Sequence, residues 1–445
     1  MHELTTLIKD DMKPALGVTE PGAIAFAVAS ARKHVSGDLI NVHVSMNSGM
    51  YKNAFTCGIP NSDEVGNIYS AALGYVAGNA DAGLEALKDV TEKDNKEADE
   101  LVKQGKITVS LSEITSRIFI KATVETTEGK ASVTIRDSHT NITGIVVDDK
   151  IIFDTDAELK EDSESNSNEE TKEIVTKSIK DIANEDSHLI HKYTLAELVE
   201  YVNSVDVEDI EFVKEAYKVN LELFHAGLSS SKTSFGKRLL ERNGGQVISD
   251  DEQMTASLLC NATIEARVVG IEKPAMSITG SGAHGIIATM PLYAAFRIQE
   301  YSEEQLYRAT MLSYLVCTYI KEYSGKLSAF CGCAIAAGSG MACGLVYLRG
   351  GDIEMMSYAL NNMASSITGM ICDGGNHGCT MKGVAAVDAA YRSVDFAMNG
   401  IYIDNAHGIN GRTPEETMRN MGLIASPGMV GTEKTIVEIF ESKLQ

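Results

Sequence analysis

The sequence predicts an α+β protein, in which an N-terminal α+β part with an antiparallel sheet is followed by a mostly helical part. Up to residue 153, apolar and polar residues alternate in short runs, as expected for strands with one buried face. From Thr194 onward the apolar residues instead recur every three or four positions, as on one face of a helix. Strands that precede helices, rather than alternating with them, are typical of an α+β arrangement.

Two helices open the chain. Apolar residues at helical spacing precede Pro14, which ends the first helix. The sequence Thr19-Glu20-Pro21 marks the start of the second helix. We predict that Thr19 caps this helix with its side chain, and that the helix dipole favours Glu20 in the first turn.

Strand signals dominate the next part of the chain. A strand is predicted at 38–45, and a helix at 70–88. Four further runs with strand character, separated by turn residues, indicate an antiparallel meander at 106–111, 117–125, 130–137 and 142–153.

An acidic segment separates the two parts of the chain. Residues 157–173 contain seven acidic residues and two lysines around a Ser-Glu-Ser-Asn-Ser-Asn stretch, which cannot fill a hydrophobic core. We therefore predict an N-terminal α+β part at 1–156, whose first two helices can pack on the C-terminal domain. An acidic linker or loop follows at 157–190, and a helical domain that carries the cysteines occupies 191–445.

Composition excludes several classes of protein. The net charge is 39 − 62 = −23 and no long basic run occurs, which argues against nucleic-acid binding. Eight scattered cysteines and the absence of an apolar leader at the first residues favour a reducing cytoplasm over secretion. The uncharged run Leu327–Leu348 is long enough to span a membrane, but it contains four glycines, which favours a buried and closely packed helix.

Three cysteines have the surroundings of core residues. Cys260, Cys317 and Cys343 lie among apolar residues on predicted helices, where a thiol behaves as a small hydrophobic group.

Four other cysteines lie in glycine-rich, more polar surroundings. Cys372 and Cys379 bound the polar loop Cys-Asp-Gly-Gly-Asn-His-Gly-Cys, and Cys331 and Cys333 lie at the start of a glycine-rich helix. Three thiolates suffice to hold an iron–sulfur cluster with one open iron, which suits Lewis-acid catalysis. The alternative is a set of unconnected thiols, because a spacing of this kind is a weak metal signal by itself.

A second glycine-rich stretch, Ser277 to Gly285, leads into a helix. Its backbone amides and hydroxyl groups, at Ser281 and Gly282 among others, suit a substrate carboxylate. A single histidine such as His284 or His139 is more often structural than catalytic.

Seven motifs occur in order along nearly the whole chain: Ala15-Leu-Gly-Val-Thr-Glu-Pro21, Lys52-Asn53, the segment 79–91, His139-Thr-Asn-Ile142, Gly280-Ser-Gly-Ala-His-Gly-Ile286, Leu327-Ser-Ala-Phe-Cys331 and the segment 369–379. Together they resemble the L-cysteine desulfidase family, also called the UPF0597 family. The C-terminal part of that family is similar to the α domain of bacterial iron–sulfur L-serine dehydratases.

The resemblance implies an oxygen-sensitive [4Fe-4S] cluster and β-elimination from a small amino acid without PLP. The products from cysteine would be pyruvate, ammonia and sulfide. The cluster ligands implied are Cys331, Cys372 and Cys379, with Cys333 a lesser candidate. The substrate-binding residues expected are Thr19, Lys52, Asn53, His139, Asn141, Ser281 and Gly282.

One departure from the family motif concerns the base. The motif normally contains cysteine where this chain has Val18, and valine cannot exchange a proton. Three outcomes are open: another base acts, the substrate is serine, threonine or another β-substituted amino acid, or the fold is kept without activity. The catalytic candidates are Glu20, Cys57, His284 and His377.

A rival hypothesis is a non-catalytic thiol protein that senses metal or redox state. As partners we expect a small amino acid, with neither nucleic acid nor membrane. The oligomeric state stays open, with a homodimer as one possibility.

Overall fold

A computed structural model describes residues 1–115, 117–155, 188–325 and 327–443. These residues confirm the predicted α+β class. The acidic linker predicted at 157–190 lies outside the described residues, except for its last three positions, where a 3₁₀ turn at Leu189–Lys192 begins.

Helices and strands are interspersed in the first part of the chain. In order they are α1 (Glu3–Asp11), β1 (Lys13–Leu16), α2 (Thr19–Arg32), β2 (Leu39–Met46), α3 (Ser48–Ala54), α4 (Gly66–Val76), α5 (Glu92–Lys103), β3 (Ile107–Leu111), β4 (Phe119–Thr126), β5 (Gly129–Arg136), β6 (Ile142–Val147) and β7 (Lys150–Asp154).

The remainder is mainly helical. Its elements are α6 (Leu195–Ser204), α7 (Val207–Ile210), α8 (Lys214–Ser229), α9 (Phe235–Arg242), α10 (Glu252–Val268), β8 (Pro274–Ser277), α11 (Gly282–Gln299), α12 (Glu303–Ser324), α13 (Gly338–Leu348), α14 (Ile353–Ile367), α15 (Gly378–Met398), α16 (Pro414–Leu423) and α17 (Val430–Ser442). A π-helical turn, Cys333–Ala337, precedes α13.

The chain forms two compact units, and each contains more than one stretch of sequence. The helical unit comprises Met1–Ala15, Asp186–Cys372 and His377–Met429. The sheet unit comprises Leu16–Glu185, Asp373–Asn376 and Val430–Gln445. A short loop within the predicted cysteine motif, 373–376, therefore belongs to the sheet unit, while the residues on either side of it belong to the helical unit.

The sheet unit is built on a six-stranded sheet with the order β3-β2-β4-β5-β6-β7. The meander from β4 to β7 is antiparallel, as predicted. The first run assigned to the meander, β3, pairs instead with β2 and runs parallel to it. This part of the prediction was wrong because α3, α4 and α5 lie between the two strands and provide the long connection that a parallel pair needs.

Two predicted elements are each divided by a turn. Asp148 and Asp149 have positive φ angles of 46° and 61°, and their turn separates β6 from β7 in the predicted strand 142–153. The predicted helix 70–88 is α4 followed by a 3₁₀ turn at Ala80–Glu85.

Helix α2 is buried on nearly all sides in the sheet unit, where it packs against β4, β5 and α4. Its alanine-rich sequence is what such an environment requires. Gly74 of α4 permits the close approach, because a Cβ atom there would lie 2.6 Å from the Cα atom of Ala25. Thr19 begins α2, but the capping position is Val18, which offers no side-chain hydrogen bond. The prediction of a Thr19 cap was therefore wrong.

In the helical unit α10 packs against α8, α9, α11 and α15. The uncharged run Leu327–Leu348 is largely buried and ends in α13, as predicted. Gly340 lets α13 contact α12, since a Cβ atom there would lie 2.2 Å from the carbonyl oxygen of Ser313. Among the described residues no helix is both long and apolar enough to cross a membrane.

Candidate functional site

Two segments that carry predicted cluster ligands pair with each other in the helical unit. Phe330 and Ile371 form an isolated antiparallel bridge. The amide of Cys331 donates to the carbonyl of Met370 at 3.0 Å, and the amide of Cys372 donates to the carbonyl of Ala329 at 2.6 Å. The backbone therefore places Cys331 and Cys372 on adjacent segments, although they are 41 positions apart in the sequence.

Cys379 lies in the first turn of α15, so the predicted loop ends earlier than its second cysteine. Helix α15 packs against the π-helical turn Cys333–Ala337, which begins two residues after Cys331. π-Helical turns are frequent at functional sites. All the predicted ligands therefore lie on segments that pair or pack within the helical unit.

The donor set suits an iron–sulfur cluster by its chemistry, since thiolates are the ligands that hold such clusters. Cys372 and Cys379 are partly exposed and Cys331 is buried. In the described part of the chain, however, no group of three or more His, Cys, Asp or Glu side chains is arranged to hold a metal ion.

Cys333 contacts one of these thiols. The neighbouring Cys333 side chain, together with burial, raises the pKa of the Cys331 thiol well above its usual value. A nearby lysine, Lys382, acts in the opposite direction. Cys333 thus lies next to the predicted ligand Cys331. The sequence had given Cys333 only as a lesser candidate for a ligand.

The three cysteines predicted to be core residues are confirmed as buried thiols: Cys260, Cys317 and Cys343. Burial raises the pKa of all three thiols, and that of Cys343 reaches about 12. They are inert at neutral pH.

Lys321 is a buried cation that the sequence analysis did not single out. It is 6% exposed, and its Nζ atom donates to Ser324 Oγ at 3.3 Å and to the carbonyl of Gly325. Burial lowers its pKa, while the charges of Cys333 and Cys372 act to raise it. Its position at the end of an apolar helical run was the available signal.

His284 lies near the same cation. Burial lowers its pKa to about 3, and the charges of Lys321 and Arg267 add to this effect, so the imidazole is neutral. Its Nδ1 atom lies 2.5 Å from Thr279 Oγ1 in a hydrogen bond. A Cβ atom at Gly332 would lie 2.8 Å from its Nε2 atom, which places His284 beside the residue that follows Cys331.

The glycine-rich stretch at 277–285 runs from the end of β8 through a short loop at 278–281 into the first turn of α11, so it leads into a helix as predicted. Ser281 occupies the capping position of α11 without a side-chain cap, and Gly282 is the first helical residue. His377 precedes α15 and is exposed, in contrast to His284.

A second group of predicted residues lies in the sheet unit. Glu20 is 6% exposed, and its Oε1 atom accepts a hydrogen bond from Asn53 Nδ2 at 2.8 Å. The same oxygen lies 3.9 Å from His139 Nε2. That nitrogen is buried and has no hydrogen-bond partner among the described residues. The structure thus brings together Glu20, Asn53 and His139 from three distant segments.

Other predicted residues of the sheet unit have different surroundings. Thr19 is buried at the start of α2. Asn141 is exposed, and its side chain donates to the carbonyl of Arg136 within the turn between β5 and β6. Cys57 is fully buried, and its thiol donates to the carbonyl of Ala54 at 3.5 Å.

Lys52 forms a buried ion pair that the sequence did not reveal. Its Nζ atom lies 2.8 Å from Glu433 Oε2, and the side chains of the two residues are 1% and 6% exposed. Glu433 is on α17, which packs against α3. No sequence pattern links two residues 381 positions apart.

The loop 373–376 packs on α3. Gly375 donates its amide to the carbonyl of Asn53 at 3.1 Å. Gly374 has a φ angle of 103°, and a Cβ atom there would lie 2.4 Å from the carbonyl oxygen of Lys52. Glycine is required at this position for both reasons. The loop that follows Cys372 in the sequence is therefore fixed by Lys52 and Asn53.

A match to a known protein family shows the class of fold. The family model described as the serine dehydratase alpha chain matches residues 81–438. The fold is thus serine-dehydratase-like, with the cysteine-bearing helices inside the matched region.

Curated relatives extend over the whole chain. A UPF0597 protein of Clostridium botulinum strain Hall is 39% identical over 436 residues, which cover 98% of this chain and 97% of the relative. A UPF0597 protein of Caldanaerobacter subterraneus is 35% identical over 440 residues, with 99% and 98% covered. One of Clostridium perfringens is 32% identical over 437 residues, with 98% and 97% covered. The chain belongs to the UPF0597 family.

Proposed function

We propose that the protein is a PLP-independent lyase that catalyses β-elimination from a small L-amino acid, with L-cysteine as the first substrate to test. The observation that carries the proposal is the pairing of the Cys331 and Cys372 segments inside a serine-dehydratase-like fold. All eight cysteines are thiols, which favours a reducing cytoplasm as the place of action.

Cys331, Cys372 and Cys379 would hold a [4Fe-4S] cluster. When bound, a cluster with one iron that lacks a protein ligand supplies a Lewis acid for the β-substituent of the substrate. The buried Lys321 ammonium adds positive charge near Cys372 and Cys333, which favours the ionised form of these two thiols.

The α-proton must pass to a base of the chain, and Val18 cannot provide one. We assign this role to His139, whose Nε2 atom has no hydrogen-bond partner among the described residues and faces Glu20. A carboxylate beside an imidazole stabilises the protonated ring that results from proton uptake. His284 suits the role less well, because its pKa of about 3 makes it a very weak base.

The reaction balances without a redox partner. The Cα–H bond breaks and its proton goes to the base, and its electron pair forms the Cα–Cβ double bond. The Cβ–S bond breaks with its electrons on sulfur, which leaves as sulfide. The resulting 2-aminoacrylate tautomerises and takes up water to give pyruvate and ammonia.

Anaerobic reconstitution with iron and sulfide tests the cofactor. We expect a brown protein whose iron content falls in Cys372→Ser and is unchanged in Cys343→Ala, a matched change at a core thiol. Wild-type protein that stays colourless and binds no iron would refute the cluster.

The loaded protein is then assayed for sulfide and pyruvate with L-cysteine. We expect His139→Gln to lower kcat at least 100-fold, as for loss of a general base, and Val18→Cys to raise it. Equal turnover by wild type and His139→Gln would exclude His139 as the base.

A second candidate is a deaminase for L-serine or L-threonine, favoured by the match to the serine dehydratase alpha chain. In this case pyruvate or 2-oxobutyrate forms from the hydroxy amino acids faster than pyruvate from cysteine.

A third candidate is a non-catalytic thiol sensor, which Val18 favours because the usual base is missing. Addition of substrate distinguishes the sensor from the two enzymes. A ligand at an open iron shifts the absorption spectrum of the cluster, whereas a closed structural centre does not respond.

A further inference from the structure

Arg267 on α10 is a buried cation that forms no ion pair with any residue the structure describes. It is only 5% exposed, and its Nε atom is buried with no hydrogen-bond partner among the described residues. None of the carboxylates that the structure describes forms an ion pair with Arg267. An uncompensated buried charge is costly, so a chain that retains one at this position gains something else from it.

Two carboxylates of the helical unit, Glu265 and Asp11, have other hydrogen-bond partners. Glu265, two residues before Arg267 on α10, accepts hydrogen bonds from the amides of Ser234, Phe235 and Gly236 at the start of α9, at 2.7 to 2.9 Å. Asp11 accepts from the amide of Thr279 at 2.5 Å. Neither of them neutralises Arg267.

The Arg267 side chain lies directly against the start of α11. A Cβ atom added to Gly282 would lie 2.7 Å from Arg267 Nε and 3.1 Å from its Cδ atom. Helix α11 is 18 residues long, and Ser281 gives it no side-chain cap. Amide donors in the first turn of a helix have no partner within it, and the helix dipole adds positive potential there.

The surrounding charges also favour an anion. Burial is the main cause of the low pKa of His284, but the positive charges of Lys321 and Arg267 contribute to it. Arg267 and Lys321 therefore both act on His284 beside the open start of α11, where Asp11 is the opposing charge.

We propose that Arg267 and the first turn of α11 bind the α-carboxylate of the amino-acid substrate. The identity of the ligand as a substrate rests on the proposed function, whereas the presence of a carboxylate site does not. Guanidinium groups bind carboxylates through paired N–H···O bonds, and helix starts bind the same groups. Glycine at 282 leaves the space in which the arginine lies.

Thermal unfolding of the protein without cluster tests the carboxylate site. L-Serine and L-serinamide differ only at the carboxyl group, so a carboxylate site stabilises the protein with the first and not with the second. We expect this difference in wild type and in Arg297→Met, a control at an exposed arginine near the other end of α11. We expect no difference in Arg267→Met, which should also melt at or above the wild-type temperature when no ligand is present.

Two results would overturn the proposal. One is that wild-type protein responds equally to serine and serinamide. The other is that Arg267→Met melts below wild type and keeps the response to serine, as expected if the arginine only supports the fold.

Kinetics of the loaded protein separate substrate binding from chemistry. We expect Arg267→Lys to raise KM roughly 30-fold or more, because it loses the paired hydrogen bonds of a buried charge, with kcat changed by only a few-fold. An unchanged KM in this variant would show that Arg267 does not hold the substrate. If loaded wild type converts no amino acid, the proposed function fails, and the thermal measurement still decides whether Arg267 binds a carboxylate.

Discussion

Gly375 and Val18 are in direct contact in the sheet unit. A Cβ atom added to Gly375 would lie 2.9 Å from Cγ1 and 3.1 Å from Cγ2 of Val18, which is 3% exposed. Val18 stands where the family motif normally contains cysteine, and Gly375 belongs to the loop that follows Cys372. The size of the side chain at position 18 therefore limits the size of the side chain that fits at position 375.

The contact predicts the effect of Gly375→Ala. The added methyl group would be too close to Val18, so we expect a loss of about 1 to 3 kcal/mol in the free energy of unfolding, as for other overpacked sites. Val18→Ala in the same chain provides space for it. The double-mutant cycle from urea unfolding should show a favourable coupling of about 0.5 kcal/mol or more.

Gly369→Ala is the matched control, because no atom lies within 4 Å of a Cβ atom at that position. We expect it to change stability by less than about 0.5 kcal/mol. A loss in Gly369→Ala equal to that in Gly375→Ala would show that the effect comes from glycine replacement in general.

The helices that the sequence predicts well have local signals. Helix α10 has such signals, because its apolar periodicity is long and Asp251 caps its start by accepting from the amide of Met254. Helix α3 was missed because it has seven residues and no side-chain cap, and it depends on packing against α17 and neighbouring elements. Short helices of this kind are stabilised by tertiary contacts rather than by their own sequence.

The candidate site likewise has features that follow from local sequence and features that depend on tertiary contacts. The cysteines could be sorted from their neighbours in the sequence, since apolar surroundings predict burial. We could not predict the ion pair of Lys52 with Glu433, because the two residues are far apart in the chain. Nor could we predict that Arg267 forms no ion pair among the described residues, because this too depends on the folded structure. Sequence patterns identify chemical groups, whereas their pairing is a property of the folded chain.

Exposure of the cysteines predicts their reactivity. Cys333, Cys372 and Cys379 are partly exposed, while the other five are buried. We expect iodoacetamide to modify these three first in the native protein without cluster, as detected by mass spectrometry of peptides. Reconstitution with iron and sulfide should then protect Cys372 and Cys379. Equal labelling of both cysteines before and after iron uptake would contradict their role as ligands.

The neutral state of His284 predicts a pH dependence of stability. Burial lowers its pKa from 6.5 to about 3, so between these values the unfolded chain binds one more proton at this residue than the folded chain. Its contribution to stability is therefore fully present above pH 6.5 and declines as the pH falls towards 3. The slope is at most about 1.4 kcal/mol per pH unit.

Replacement of His284 tests this assignment. His284→Asn keeps a polar group near Thr279 Oγ1 but cannot titrate, so the profile of unfolding free energy between pH 6.5 and 5 should become flatter. His407→Gln, at a histidine whose side chain is 70% exposed, should leave the slope as in wild type. If both variants kept the wild-type slope, another group would be responsible.

The buried pair of Lys52 and Glu433 predicts that the C-terminal helix fixes α3. Glu433→Gln removes the carboxylate that pairs with the buried Lys52 ammonium, so we expect a loss of about 3 to 5 kcal/mol in unfolding free energy. Hydrogen exchange should increase at 48–55 and at 373–376, because Gly375 is held by the carbonyl of Asn53.

A control on the same helix removes the same charge at its surface. Glu438→Gln affects only an exposed pair with Lys434 at 3.8 Å, so its cost should stay below about 1 kcal/mol and exchange at 373–376 should not change. The double variant Lys52→Met with Glu433→Leu replaces the ion pair by apolar groups of similar volume and should restore stability. If the double variant regains stability but not the wild-type KM of the loaded protein, the Lys52 charge also serves the substrate. If it regains both, the pair only holds α17 on α3.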